Sequence, residues 1–177
     1  MNFTQKERTL LEDQKSHEEI CIQKYTNYAS LAQDQELKNI FNQIAQTEQQ
    51  HYNTIDQLLK GQVPQMQQGG SQQNQSSGMQ MKSQQLQSMQ GSQQKQANQS
   101  PSFVPKGQSL NYSNSDKDLC SDLLMTEKYV SSTYDTAIFE FRDPQVRSIL
   151  NHIQKEEQQH GETLYKYMES KGMYQAK

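Results

Sequence analysis

Residues 48–51 read Glu48-Gln49-Gln50-His51, and the same four residues return at 157–160, an offset of 109 residues (51 to 160). Shifting the chain on itself by this offset aligns residues 10–54 with residues 119–163 without a gap. Other identical residues then coincide: Glu18 with Glu127, Tyr25 with Tyr134, Asp34 with Asp143, Ile40 with Ile149, Asn42 with Asn151, and Ile44 with Ile153. Such a repeat predicts two copies of one supersecondary unit, each carrying a Glu and then Glu-x-x-His.

The first copy predicts two helices joined by a tight turn. Thr4 and Glu7 have the spacing of a capping box, so a helix should begin near residue 5 and end near residue 32. Asp34 can cap a second helix, which should end near Lys60 because Gly61 follows it. A turn this short makes the two helices antiparallel. Helical spacing places one stripe of the first helix inward: Leu11, Gln14, Glu18, Cys21, Tyr25, Tyr28 and Ala32.

The second copy predicts a matching hairpin. A capping pattern at Ser115 starts a third helix. Asp143 as the cap, with Pro144 in the first helical position, starts a fourth helix, which Gly172 ends. The chain is therefore predicted to be all-α, with a four-helix bundle made of two hairpins.

The segment between the hairpins has a different composition, rich in Gln, Ser, Gly and Met and without periodicity. It cannot bury enough apolar surface to offset the entropy of ordering, so we predict a long disordered crossover. The expected organisation is residues 1–61 for the first hairpin, 62–114 for the linker and 115–177 for the second hairpin. The two hairpins together should form one domain.

Composition excludes several classes of protein. A net charge of −3 in 177 residues argues against a nucleic-acid partner. The N-terminal residues contain no apolar stretch long enough for a signal peptide, and no segment resembles a membrane helix. We therefore expect that the protein is synthesised in the cytoplasm and does not associate with a membrane. Cys21 and Cys120, the two cysteines, are expected to be reduced and at least partly buried.

Six acidic and imidazole side chains fall on the apolar stripes of the predicted helices, where unpaired charge is costly. They are Glu18, Glu48, His51, Glu127, Glu157 and His160. A Glu and a His three residues apart share a helix face and can ligate one ion together. One Glu on each of two helices with Glu-x-x-His on the other two is the ligand pattern of dinuclear carboxylate sites. The sequence thus predicts a site for two ions, iron or manganese, with zinc as a further option.

Two alternatives stay open at this point. The six side chains could instead form a metal-free hydrogen-bonded layer. Tyr25 and Tyr134, two turns beyond the upstream glutamates, could hydrogen-bond ligand carboxylates or serve as ordinary core aromatics.

With these residues the chain resembles the ferritin-like superfamily, which includes bacterioferritin, rubrerythrin and manganese catalase. The resemblance implies that Glu48 and Glu157 bridge two metals, that Glu18 and Glu127 are terminal ligands, and that each metal takes one His. It also implies chemistry with O₂ or peroxide.

Within that superfamily the chain is more similar to the spore coat F family of endospore-forming bacteria. The stretch from 122 to 160, DLLMTEKYVSSTYDTAIFEFRDPQVRSILNHIQKEEQQH, carries this likeness, together with the small size and the two Glu…Glu-x-x-His hairpins. The resemblance implies a component of the spore coat, made in the mother cell during sporulation.

Two functions follow as hypotheses. The favoured one is a structural coat protein whose partners are other coat proteins. Cross-links could form at the Gln-rich insert, which contains Lys82 and Lys95, or at tyrosines. A homodimer is a further option. The alternative is a di-iron or di-manganese oxidoreductase acting on O₂ or peroxide. An iron-storing cage is less favoured, because the long insert would have to fit at many subunit contacts.

Overall fold

Four helices form the regular structure of this computed structural model, which describes residues 2–64 and 116–174. They are α1 (Gln5–Leu31), α2 (Gln35–Leu59), α3 (Asp116–Glu140) and α4 (Pro144–Ser170). The described part of the chain contains no strand. The all-α prediction and its two hairpins are therefore confirmed. Residues 65–114 of the predicted linker lie outside the described residues.

The helix ends form where the sequence predicts them. The Thr4 hydroxyl accepts from the Glu7 backbone N–H at 3.2 Å, and the Glu7 carboxylate accepts from the Thr4 N–H at 2.8 Å. Asp34 and Asp143 cap α2 and α4 in the same way, each through a side-chain oxygen. Gly61 ends α2 with φ 79°, a left-handed conformation that a residue without Cβ adopts at little cost.

The helices pack as two antiparallel hairpins, α1 with α2 and α3 with α4, with α1 also against α3 and α2 against α4. The facing pair α1 and α3 is antiparallel, because the Tyr28 hydroxyl bonds Asp122 near one end while Gln14 bonds Thr133 nearer the other. The end of α2 and the start of α3 therefore lie at opposite ends of the bundle. This is the topology that a crossover connection requires.

Each hairpin is tied to the turn of the other. Glu7, at the start of α1, accepts a hydrogen bond from the Arg142 backbone N–H at 3.1 Å, in the turn between α3 and α4. Asp116, at the start of α3, accepts from the Gln33 and Asp34 N–H groups at 2.8 and 3.0 Å, in the turn between α1 and α2. Both members of each contact are 109 residues from their counterparts, so the repeat in sequence is a pseudo-two-fold relation in space.

The core repeats as well. Buried apolar residues of α2 have buried apolar counterparts on α4: Leu37 and Val146, Phe41 and Leu150, Ile44 and Ile153, Ile55 and Leu164. On α1 the predicted inward stripe is correct except at Tyr28, which is half-buried, while Ala29 takes the buried position. Tyr28 lies at the edge of the α1–α3 contact, where its hydroxyl donates to Asp122 at 2.9 Å. Its polar tip thus keeps a partner that the interior would not supply.

The cysteines agree with the sequence analysis. Cys21 and Cys120 are free and buried, as predicted. Within residues 2–64 and 116–174, no helix has the length and apolar character needed to cross a membrane.

Candidate metal centre

All six predicted ligand residues are buried together in the middle of the bundle. Glu18 lies on α1, Glu48 and His51 on α2, Glu127 on α3, and Glu157 and His160 on α4. The exposed fractions are 0% for Glu18, Glu48 and Glu157, 2% for Glu127 and His51, and 8% for His160. Charged groups this deep are strongly destabilising unless something of opposite charge compensates them.

The first group of ligand atoms surrounds His51. Its Nδ1 lies 2.9 Å from a Glu157 oxygen, 3.3 Å from a Glu48 oxygen and 3.6 Å from a Glu18 oxygen. One donor atom from each of the four residues lies within 4.8 Å of all the others. A single ion could therefore contact all four.

The second group surrounds His160 and is the pseudo-symmetric copy of the first. The Nδ1 atom of His160 lies 3.0 Å from a Glu48 oxygen, 3.7 Å from a Glu127 oxygen and 3.9 Å from a Glu157 oxygen. These four residues also present donor atoms within 4.8 Å of one another. The two imidazole rings stack with centroids 5.7 Å apart. Glu48 and Glu157 belong to both groups, so the two groups share their central carboxylates.

Several donor atoms in this cluster have no hydrogen-bond partner although they are buried. They are Glu18 Oε2, Glu48 Oε1, Glu127 Oε2, both Glu157 oxygens, and His160 Nδ1. Buried polar atoms of folded proteins are normally hydrogen-bonded. Here they face one another at 3 to 4 Å, for example 3.0 Å between His160 Nδ1 and Glu48 Oε1, without hydrogen-bond geometry. In the deprotonated state, the lone pairs of these atoms could hold a cation between them.

When only the six side chains of the cluster are considered, their pKa values indicate that some of them carry protons at neutral pH. Burial raises the pKa of the Glu18 carboxyl to about 7 and that of Glu157 well above its usual range. Burial would lower the pKa of His160, but the Glu127 and Glu48 carboxylates outweigh it and raise that pKa to about 9. Burial would also raise the pKa of Glu48, but the neighbouring His160 and His51 outweigh it and lower that pKa to about 2. Protons thus supply part of the positive charge that four carboxylates need.

Two buried tyrosines bind the terminal carboxylates across the hairpins. Tyr25 on α1 donates to Glu127 Oε1 on α3, and Tyr134 on α3 donates to Glu18 Oε1 on α1. Burial beside carboxylates raises the pKa of both phenols well above the usual value, so both remain donors. Each tyrosine fixes one carboxylate oxygen and leaves Oε2, the oxygen that faces the histidine, free for other contacts.

Glu156 is a contact that the sequence analysis missed. Its Oε2 lies 2.9 Å from His51 Nε2, on the side of the ring away from the cluster, and 3.4 Å from His152 Nε2. The counterpart of Glu156 in the first repeat is Thr47, so the repeat gave no signal for it. An acid adjacent to Glu157 in Glu-x-x-His was the one available clue.

A groove of about 490 Å³ lies between α3 and α4, on the outer side of the cluster. Glu127 and Glu157 belong to its lining, and Gly161 and Ser131 line it with little side-chain bulk. Its rim includes Lys128 and other exposed polar residues, so the groove is open to solvent.

Comparison with known proteins places the second hairpin in a family. Residues 115–177 match the model of the Coat F domain. No curated protein and no solved structure gave a significant match. The matched segment contains α3, α4 and the ligand-type residues Glu127, Glu157 and His160. The expected likeness to the spore coat F family is therefore confirmed for this segment. Residues 115–177, which form the second hairpin, therefore contain a Coat F domain.

Proposed function

We propose that this chain is a spore coat protein whose helical bundle binds a pair of divalent metal ions. The observation that supports the proposal best is the sharing of Glu48 and Glu157 between two groups of four donors. A hydrogen-bonded layer would have paired its donors and acceptors, whereas five carboxylate oxygens and one imidazole nitrogen here have no partner in hydrogen-bond geometry.

The donor set fits two divalent ions in charge and in chemistry. Four carboxylates are neutralised by two divalent cations, and mixed carboxylate and imidazole ligands suit iron or manganese, or else zinc. Glu48 and Glu157 would bridge the two ions. Glu18 with His51 would complete one set of ligands, and Glu127 with His160 the other.

In the coat, we propose that the partners are other coat proteins or a second copy of this chain. Exposed apolar side chains on α3 support a surface for such contacts: Met125, Tyr129 and Phe139, with exposed fractions of 65%, 60% and 83%. Cross-linking at Lys82 and Lys95 involves residues outside the described part of the chain. Mass spectrometry of purified coat tests it, and an absence of adducts at lysine, glutamine and tyrosine side chains would refute it.

Elemental analysis of protein purified from its native source tests metal binding. We expect about two ions per chain, with a double Glu48→Ala, Glu157→Ala variant retaining none. Glu19→Ala is the matched control, because Glu19 is an exposed acid adjacent to a proposed ligand. A wild-type protein without stoichiometric metal, or a double variant that keeps it, would overturn the proposal.

Oxidoreductase activity on O₂ or peroxide is the second candidate. The groove that reaches Glu127 and Glu157 supports it, because a redox site needs access for its oxidant. Bound iron or manganese would supply the redox chemistry, and the protein would hold the ions and leave coordination positions open. A peroxide-consumption assay on the metal-loaded protein decides: turnover supports an enzyme, and a loaded but inert protein supports a structural role.

A further inference from the structure

The two halves of the bundle match at the ligand residues but differ on their outer faces. Gly161, one residue after His160, corresponds to Tyr52 after His51. Ser131 on α3 corresponds to Ile22 on α1. At these two positions the α3–α4 half has small side chains where the α1–α2 half has large ones.

On the α1–α2 side, large side chains are held in place. The Lys15 ammonium lies 4.9 Å from the centre of the Tyr52 ring and 2.6 Å from Asp56. The cation–π contact and the ion pair together keep Tyr52 and Lys15 against this face. His51, the residue before Tyr52, is 2% exposed.

On the α3–α4 side, the corresponding position is open. Gly161 and Ser131 line the groove of about 490 Å³, and Glu127 and Glu157 are part of the same lining. A divalent ion with six waters occupies roughly 180 Å³, at about 30 Å³ for each water, and therefore fits in the groove.

We propose that the groove between α3 and α4 is the entrance through which hydrated divalent cations reach the buried cluster, and that Gly161 keeps it open. Side-chain oxygens of Ser132, Gln154 and Gln158 in the lining can hydrogen-bond the hydration shell of an arriving ion. Glu127 and Glu157 then replace those waters as the ion leaves the groove. The inference rests on the proposed metal binding and adds the route by which the ion enters.

Two substitutions transfer large residues of the α1–α2 half to the corresponding positions of the α3–α4 half. A Cβ on Gly161 would lie 3.7 Å from Leu124 Cδ1 and 3.8 Å from Glu127 Cβ, which are ordinary contacts, so the fold accepts a Cβ at this position. Gly161→Tyr introduces the residue found at position 52, and Ser131→Ile the one found at position 22. Both should narrow the groove and leave all six ligand residues in place.

The experiment follows cobalt(II) loading of metal-stripped protein by stopped-flow absorption of the bound ion. We expect Gly161→Tyr to slow loading at least about tenfold, because entry would then need a conformational opening. Ser131→Ile should slow it less, and the final cobalt stoichiometry and affinity should match wild type. Tyr52→Ala, the control in the α1–α2 half, should load at least as fast as wild type. Far-ultraviolet circular dichroism verifies that every variant is folded.

The outcomes separate the two proposals. If wild type binds no cobalt at equilibrium, metal binding fails, and the entrance fails with it. If wild type binds cobalt and Gly161→Tyr loads equally fast, only the entrance is refuted. Equal slowing by Gly161→Tyr and Tyr52→Ala would also refute it, because the effect would then be a general disturbance of the bundle.

Discussion

Tyr25 of the first hairpin donates its hydroxyl hydrogen bond to Glu127 of the second, and the repeat reproduces this relation in reverse from Tyr134 to Glu18. All four side chains are at most 2% exposed. The tyrosines therefore join the two hairpins and at the same time orient the outer carboxylates of the cluster.

Replacing either tyrosine by phenylalanine should destabilise the fold. Tyr25→Phe leaves a buried Glu127 oxygen without its donor, which costs about 1–3 kcal/mol of unfolding free energy. Tyr134→Phe should cost a similar amount, because it is the symmetric contact. Urea denaturation of the metal-stripped proteins measures both. Tyr129→Phe, at a 60% exposed position, should change nothing, and a cost no larger than this control would contradict the prediction.

Glu156→Gln should weaken one ion much more than the other. Glu156 accepts from His51 Nε2 and so orients that ring, while its counterpart in the first repeat, Thr47, has no carboxylate. Loss of such a carboxylate partner typically costs about 10–100-fold in metal affinity. Cobalt titration followed by absorption should then show two separated binding steps, with Thr47→Ala resembling wild type. Equal weakening of both steps would argue against the prediction.

Metal affinity should rise with pH. The raised pKa values of Glu18, about 7, and His160, about 9, mean that protons occupy the metal-stripped cluster at neutral pH. An incoming ion must displace them, so the apparent affinity should increase about tenfold per pH unit for each proton released. Titrations in weakly buffered solution should show acid release on cobalt addition. Binding that is independent of pH between 6 and 9 (roughly the span of these pKa values) would contradict this.

Glu7 should make the fold sensitive to acid. Hydrogen bonds from the backbone of Thr4 and, less strongly, of Arg142 lower the pKa of its carboxyl from 4.5 to about 2. A carboxyl whose pKa is lower in the folded state stabilises the protein above the unfolded value and loses this effect as the pH falls through the folded value. Glu7→Gln should therefore cost about 1 kcal/mol at pH 7, and this difference should disappear near pH 2.

Denaturation curves at several pH values test the acid sensitivity. Glu12→Gln, an exposed acid on the same helix, serves as the control and should behave as wild type at every pH. A Glu7→Gln cost that is the same at acidic and neutral pH would show that the charge is not involved.

The repeat in the sequence was sufficient to predict the four helices and which side chains converge. Glu48 and His51 share a face of α2 by helical geometry alone, and the second copy places Glu157 and His160 on a face of α4 in the same way. What the repeat could not reveal were contacts between the hairpins, because these depend on how the helices pack. Glu7 was identified as a cap, but its burial against Arg142 was not. Glu156 escaped notice because its counterpart is a threonine.

Neither group of four donors comes from one hairpin. The group around His51 takes Glu157 from the second hairpin, and the group around His160 takes Glu48 from the first. A chain with a single Coat F hairpin would thus need a second molecule, related by a two-fold axis, to assemble the same six groups. This protein is in effect a tethered dimer, in which duplication within one polypeptide removes the dependence of the centre on protein concentration.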